Sequence, residues 1–285
     1  MIKRISFLIL FFCIYHAAVA QPNMIYDVVL MGGRVIDPET KLDAIRNVGI
    51  INNRIAQIST ELLKGKEIIN VSGLVVAPGF IDMHIHGRSN LEQEYQLHDG
   101  VTTALELEWG IEHIGKWYES RKGKALINYG ASVNWPFERF KAIDKYKASV
   151  DSLLQTTLKG EASIGTITNT ILRAATETIS PAEMNQTLSN IKISLSEGGI
   201  GIGAPIGYLP KSNPNEMYQV YKLAGELQAL VFSHVRQPDI ISIQEAIAVA
   251  VLTNAPLHIV HINSMSLSNI QLSIDICNSR KEQRV

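Results

Sequence analysis

Apolar and polar positions along the chain fall into two rhythms. Up to Pro78, short apolar runs alternate with turn pairs. Residues 27–31 are apolar enough for a strand, Gly32-Gly33 and Asp37-Pro38 read as turns, and 48–51 and 55–58 flank Asn52-Asn53. That Asn-Asn pair tolerates the left-handed conformation of a tight turn, so 48–58 is expected to form a hairpin. Val71, Leu74, Val75 and Val76 lead into Ala77-Pro78-Gly79, where the first boundary is placed. Beyond it, six short apolar strands are predicted at 79–85, 102–108, 125–133, 199–204, 229–235 and 257–262. Helical spacing is visible between them at 117–122, 181–197, 217–227 and 240–252, and less regularly at 267–276. Ser180, Pro181 and Glu183 supply the N-cap, first position and first-turn acid of the 181–197 helix. Strands alternating with helices predict an α/β fold around a parallel sheet. No internal repeat or low-complexity segment interrupts this order.

The first twenty residues stand outside that pattern. Lys3 and Arg4 precede an apolar stretch at 5–15, and Ala18-Val19-Ala20 offers a small-residue cleavage site. The expectation is a secretory signal peptide at 1–20, followed by a β-sandwich part at 21–77 and a barrel at 78–285. The apolar stretch is too short to span a bilayer, so the cleaved chain is expected to carry no integral membrane segment and to be periplasmic or secreted. Of the two cysteines only Cys277 would remain, which excludes an internal disulfide. The 26 Lys and Arg against 27 Asp and Glu leave a net charge of −1. Basic residues never run beyond two together, so a nucleic-acid partner is excluded.

Candidate chemistry begins at Gly79-Phe80-Ile81-Asp82-Met83-His84-Ile85-His86-Gly87. Two histidines at i and i+2 on a strand face the same way, and a following Gly puts them at a strand end, where one cation could take both rings. His234 closes the apolar run 230–233, where an imidazole needs a partner. His258 and His261, three apart, face opposite sides of a strand, so one of the two is expected to reach a metal. Glu106 and Glu108 share a strand face and repel unless a cation or an arginine neutralises them. Arg236 could bind an anionic group, with Tyr208 and Lys211 as further substrate-binding candidates. Gly201, Gly203 and Gly207 are read as backbone turns at a rim. His98 and His113 lie in connecting segments and receive no role.

Several of these pieces together resemble the amidohydrolase superfamily, and within it the D-aminoacylase or N-acyl-D-amino-acid deacylase branch. They are residues 26–38, the Gly79–His86 run, Gly100-Val101-Thr102-Thr103, Ser233-His234-Val235-Arg236, and 258–263. The resemblance implies a (β/α)8 TIM-like barrel, incomplete here at about six βα units, with a small N-terminal β-sandwich subdomain. It implies one or two divalent metal ions, zinc foremost, held by His84, His86, His234 and His261. Glu108 would bridge, with Glu106 as the alternative, and His258 would stand outside the ligand set. The implied reaction is hydrolysis of a carbon–nitrogen amide bond, most simply in a small-molecule N-acyl amino acid bound through Arg236 and Tyr208. A hydantoinase- or dihydroorotase-like cyclic amidase is the alternative enzyme, and a metal-binding remnant without turnover the alternative of another class. The proton-accepting Asp of the family's eighth strand has no counterpart in these 285 residues, so no catalytic residue is assigned and the chain is expected to be truncated.

Overall fold

The computed structural model describes residues 24–159 and 164–282; the expected leader at 1–20 lies outside the described residues. Two compact units meet at the Pro78–Gly79 bond. The first is one five-stranded sheet: β1 (Ile25–Asp37), β2 (Leu42–Ile51), β3 (Arg54–Ser59), β4 (Lys64–Asn70) and β5 (Val75–Val76), in the order β3-β2-β1-β4 with β5 also on β1. The expected hairpin is present: β2 and β3 pair antiparallel, and Asn52 and Asn53 both take the positive φ (51° and 59°) that a tight two-residue turn requires. Gly32-Gly33 departs from expectation. The chain does not turn there but runs on as β1, absorbing the pair in a bulge between Leu30 and Gly33 that the Asn47 side chain holds by accepting from the Gly32 N–H at 2.9 Å.

The second unit contains all six strands expected from the apolar runs, aligned in parallel as β11-β10-β9-β8-β7-β6. These are β6 (Phe80–Asp82), β7 (Val101–Ile111), β8 (Asn128–Asn134), β9 (Ile202–Pro205), β10 (Val231–His234) and β11 (Leu257–Ile259). Helices α1 (Asn90–His98) and α2 (Ile114–Arg121) fill the first two crossovers. The β8–β9 crossover is much larger than a single helix: α3 (Trp135–Ala142), α4 (Lys147–Lys159), α5 (Ile164–Ile171) and α6 (Pro181–Ser196) all lie in it. Only α6 was legible beforehand, and Ser180 with Glu183 forms its expected capping box. Then come α7 (Pro214–Leu227), α8 (Ile240–Thr253), the single turn α9 (Ile262–Ser266) and α10 (Ile270–Glu282). Among the described residues no helix is long and apolar enough to cross a membrane.

One strand face packs on the helices. Val133, Ile202, Ala204, Val231 and Val235 join Ile191 of α6, Val220 and Tyr221 of α7, and Ile243 and Ala246 of α8 in the main core. The long crossover has its own core, built on Phe137, Phe140, Leu153, Ile167 and Ile171. Arg139, fully buried, ties it to α7 by an ion pair with Glu216 at 2.7 Å and by donating to the carbonyls of Ala174 and Glu177. A buried guanidinium spends its donors this way because an unpaired one would cost far more than the contact returns.

Strand β7 carries the feature that positions the site. Its register against β8 slips between Glu106 and Ile111, and Gly110 sits in the slip with φ +74°. A side chain there would meet the Ser132 carbonyl oxygen at 2.4 Å, so both the conformation and the space require glycine. Gly110→Ala is expected to lower unfolding stability by about 2–4 kcal/mol in urea titration. Gly123→Ala, at a similar φ of +71° with nothing within 4 Å, should cost only the conformational strain, about 1 kcal/mol. Equal losses at the two positions would contradict the close approach.

Candidate metal centre

Beyond the carboxyl ends of β6, β7, β10 and β11, one carboxylate gathers four imidazoles. Glu108, on β7 and 3% exposed, has its Oε2 3.0 Å from His84 Nε2 and 3.3 Å from His86 Nε2. Its Oε1 lies 2.5 Å from His234 Nδ1 and 3.4 Å from His261 Nε2. The rings also lie close to one another, His84–His261 at 5.1 Å and His234–His261 at 4.6 Å between centroids. His84, Glu108 and His261 can each offer a donor atom within 4.8 Å of the other two.

The backbone route to this cluster differs from a simple pleated strand. β6 ends at Asp82, whose carboxylate accepts the His84 N–H at 3.0 Å and bends the chain out of the sheet. His84 and His86 therefore converge from a loop, not from one strand face as their spacing suggests. The expected 257–262 strand likewise stops at Ile259, and His261 takes a left-handed conformation (φ 33°) before α9. That twist turns His261 inward, while His258 stays exposed with its ring 5.8 Å from Phe232. On β10 alternation does hold: Val231 and Val235 join the helical core, and His234 turns to Glu108.

Glu106 occupies a different place from Glu108. It is 1% exposed, with both oxygens 3.2 Å from His86 Nδ1. Neither glutamate lies on a solvated edge, since β7 runs between β6 and β8. Two buried carboxylates draw positive charge to this point. Hydrogen bonds to Glu106 and then Glu108 hold the His86 imidazole protonated, its pKa pushed up to about 10 against the cost of burial. Burial alone would raise the Glu108 pKa, but hydrogen bonds from His234 and His86 outweigh it and hold the carboxyl well below its usual range. Burial, with His234 and His84 nearby, pushes His261 down, toward the neutral ring that can donate a lone pair.

Arg88, Glu112 and Asn134 complete the surroundings and were missed by the sequence reading. The Arg88 guanidinium donates to Glu112 Oε2 at 2.6 Å and to the Gly110 carbonyl at 2.9 Å, and its Nε lies 3.8 Å from Glu106. Asn134 donates to the other Glu112 oxygen at 2.7 Å. Continuing the alternation His84, His86, Arg88 would have flagged the arginine; Glu112 is hidden because the Gly110 bulge breaks the period of β7. Of the substrate-binding candidates, Tyr208 is at the cluster, its half-exposed ring 4.9 Å from His234 and 5.1 Å from Trp109. Arg236 is engaged elsewhere: its guanidinium donates to both Glu245 oxygens and to the Ser212 carbonyl. The structure thus gives Arg236 a bracing role on α8 through Glu245. Lys211 contributes a backbone hydrogen bond to Ala175.

The donor set fits a divalent cation. Four ring nitrogens and a carboxylate are ligands that zinc and its neighbours accept, and the two oxygens are addressed by separate pairs of rings. The buried Nδ1 of His261 has no hydrogen-bond partner, which leaves that ring free to turn either nitrogen to an ion. His98 on α1 and His113 beyond β7 are not brought to the cluster. His113 instead sits edge-on to Phe137 at 4.7 Å, and burial together with Lys141 and Lys116 holds its pKa down to about 4.

Comparisons with known proteins bear on this geometry. No family model matches the chain. It is 24% identical over 257 residues to the D-aminoacylase of Alcaligenes xylosoxydans xylosoxydans, covering 86% of this chain and 52% of that protein. Over 62 residues, 21% of this chain and 14% of the relative, it is 45% identical to the dihydroorotase of Solibacter usitatus. Among solved structures, the N-acyl-D-glutamate deacylase of Bordetella bronchiseptica, complexed with zinc and a phosphonate inhibitor, aligns with a TM-score of 0.69 at 17% identity, covering 92% of this chain and 57% of that one. The chain therefore spans about half the length of the D-aminoacylase and of the deacylase. The motifs singled out in the sequence thus fall in a chain similar to a D-aminoacylase and, locally, to a dihydroorotase, and the six parallel strands belong to a fold shared with the solved deacylase.

Two outcomes follow from the charges. Arg88→Met strands Glu112, whose side chain is fully buried, and should cost about 3–5 kcal/mol in urea unfolding; a loss under about 1 kcal/mol would mean the pair is not buried as described. Because the folded pKa of His113 lies below its unfolded value of 6.5, the unfolded chain takes up the proton first as pH falls. Stability is then lost between pH 6.5 and about 4. His113→Asn, which suits the left-handed backbone (φ 50°), should reduce the drop in Tm across that window relative to the unsubstituted protein.

Proposed function

We propose that this chain forms the metal-holding part of a hydrolase that cleaves the amide bond of N-acyl amino acids. The observation that carries the reading is the division of one buried carboxylate between two pairs of imidazoles: His84 and His86 on Oε2, His234 and His261 on Oε1. Such a site suits one cation, or two bridged by Glu108, with zinc the first choice for nitrogen-rich ligands. A divalent cation held there would supply Lewis acidity to an amide carbonyl and to water. Support for the substrate class comes from the D-aminoacylase and N-acyl-D-glutamate deacylase likenesses.

The chain's own residues have separate tasks in this scheme. Glu108 keeps its charge despite burial and would offset that of a cation. The four imidazoles would hold such an ion at the mouth of the strands. Tyr208, half-exposed beside His234, presents a hydroxyl that can donate to a substrate oxygen. Arg236 gives three of its five N–H groups to Glu245 and Ser212, and the other two could meet a substrate carboxylate. The leader read at 1–20 leads us to propose export, so that this chemistry takes place outside the cytoplasm.

A cyclic-amide substrate is the second reading, and the local 45% identity to a dihydroorotase favours keeping it. The test is hydrolysis by the zinc-loaded chain of N-acetyl-D-amino acids against their L-forms, with hydantoin and dihydroorotate in parallel. Release of D-amino acids, abolished in Glu108→Gln together with a fall of at least about 100-fold in zinc affinity, is the expected result. Turnover of the cyclic amides alone would move the assignment to them. Retained zinc with no turnover of either would leave a metal-binding chain without hydrolase activity, and absence of zinc binding would overturn the site.

A further inference from the structure

We infer that Glu106 is a positioning residue that orients His86 from behind and is not a ligand of the cation. This rests on the cation site proposed above and adds what sets the presentation of one of its rings. Both Glu106 oxygens lie 3.2 Å from His86 Nδ1, while the opposite nitrogen, Nε2, lies 3.3 Å from Glu108 Oε2. A cation taking the place of the Nε2 proton would meet a ring still held by its Nδ1–H, and a carboxylate as acceptor makes Nε2 a stronger donor. Glu106 therefore spends on His86 the oxygens that a bridging role would need.

The groups behind Glu106 keep it there. Arg88 Nε, buried and without a hydrogen-bond partner, stands 3.8 Å from Glu106 Oε2, close enough for charge attraction though too long for a hydrogen bond. The rest of that guanidinium is fixed by Glu112 and the Gly110 carbonyl, and Glu112 by Asn134. Behind the half-exposed His86 ring, charges thus alternate along a line from Glu106 through Arg88 to Glu112. The line links the loop after β6 to both sides of the β7 bulge and to the end of β8. The carboxylate pair that looked repulsive in the sequence divides its tasks: Glu108 faces four rings, and Glu106 faces the back of one of them and an arginine.

The test compares Glu106→Gln with the unsubstituted chain in zinc content, zinc affinity by competition with a chromophoric chelator, and the visible spectrum of the cobalt-loaded protein. The expected result is unchanged metal per chain, an affinity lower by about 10- to 100-fold, and a shifted cobalt spectrum. Glu106→Asp, which keeps the charge but withdraws it from Nδ1, should move affinity in the same direction and covers the case in which the glutamine variant does not fold. Glu138→Gln removes an equally buried carboxylate bonded to Ser194 and Lys141; it should lower Tm and leave zinc affinity in place, separating orientation from general stability. A drop in metal per chain for Glu106→Gln would make Glu106 a ligand and overturn the inference. An affinity within about threefold of the unsubstituted chain would overturn it too. Failure of the unsubstituted chain to bind zinc at all would instead sink the cation site, and this inference with it.

Discussion

Two carboxylates on one buried strand are the constraint around which the second unit is organised. Glu106 and Glu108 would each cost several kcal/mol if left ionised and unpaired in the interior, and neutralising both by proton uptake would forfeit their hydrogen bonds. The fold answers by bringing positive or ionisable nitrogen from three separate segments: the loop after β6, which carries His84, His86 and Arg88, and the ends of β10 and β11. The loop after β6 is far in sequence from the other two, so the cluster forms only when the parallel order β6-β7 and β9-β10-β11 is in place. Site and fold are in this sense one problem. Strand order decides which imidazoles arrive, and the glutamates decide that they must.

The bulge at Gly110 shows how local geometry serves that arrangement. An unbroken β7 would keep strict alternation from Glu106 to Glu112. The register slip lets Glu112 meet Arg88 and Asn134, and it turns the Gly110 carbonyl toward the same guanidinium. Irregular backbone beside a functional cluster is a recurrent use of such bulges. The left-handed His261 does similar service at the far side of the sheet, where a regular strand would have aimed the ring away from Glu108.

Much of this was legible in the sequence, for identifiable reasons. The six strands announced themselves because parallel strands buried on both faces are short continuous apolar runs, and α6, α7 and α8 because their helical spacing or caps are clear. The four histidines of the cluster and Glu108 were named from motif and resemblance, and the structure brings all five together. What stayed hidden depends on contacts distant in sequence. Helices α3, α4 and α5 make a local core within one crossover, and no period in 135–178 separates them from a loop with scattered apolar residues. Arg236 looked free because its partner Glu245 lies nine residues on, across a loop whose path the sequence does not give. Gly32-Gly33 resembled a turn because a bulge and a turn ask the same freedom of glycine; only pairing with β2 tells them apart.

The most direct test of the central claim, that this carboxylate and its four imidazoles hold a cation, is zinc-edge X-ray absorption of the metal-loaded chain. The account predicts a first shell of nitrogen and oxygen only, at about 2.0–2.1 Å, with the outer-shell scattering that several imidazole rings produce. A sulfur scatterer at about 2.3 Å would place the metal on a cysteine or a methionine, and a shell without imidazole signature would place it outside the cluster. Either result would contradict the site built here around Glu108.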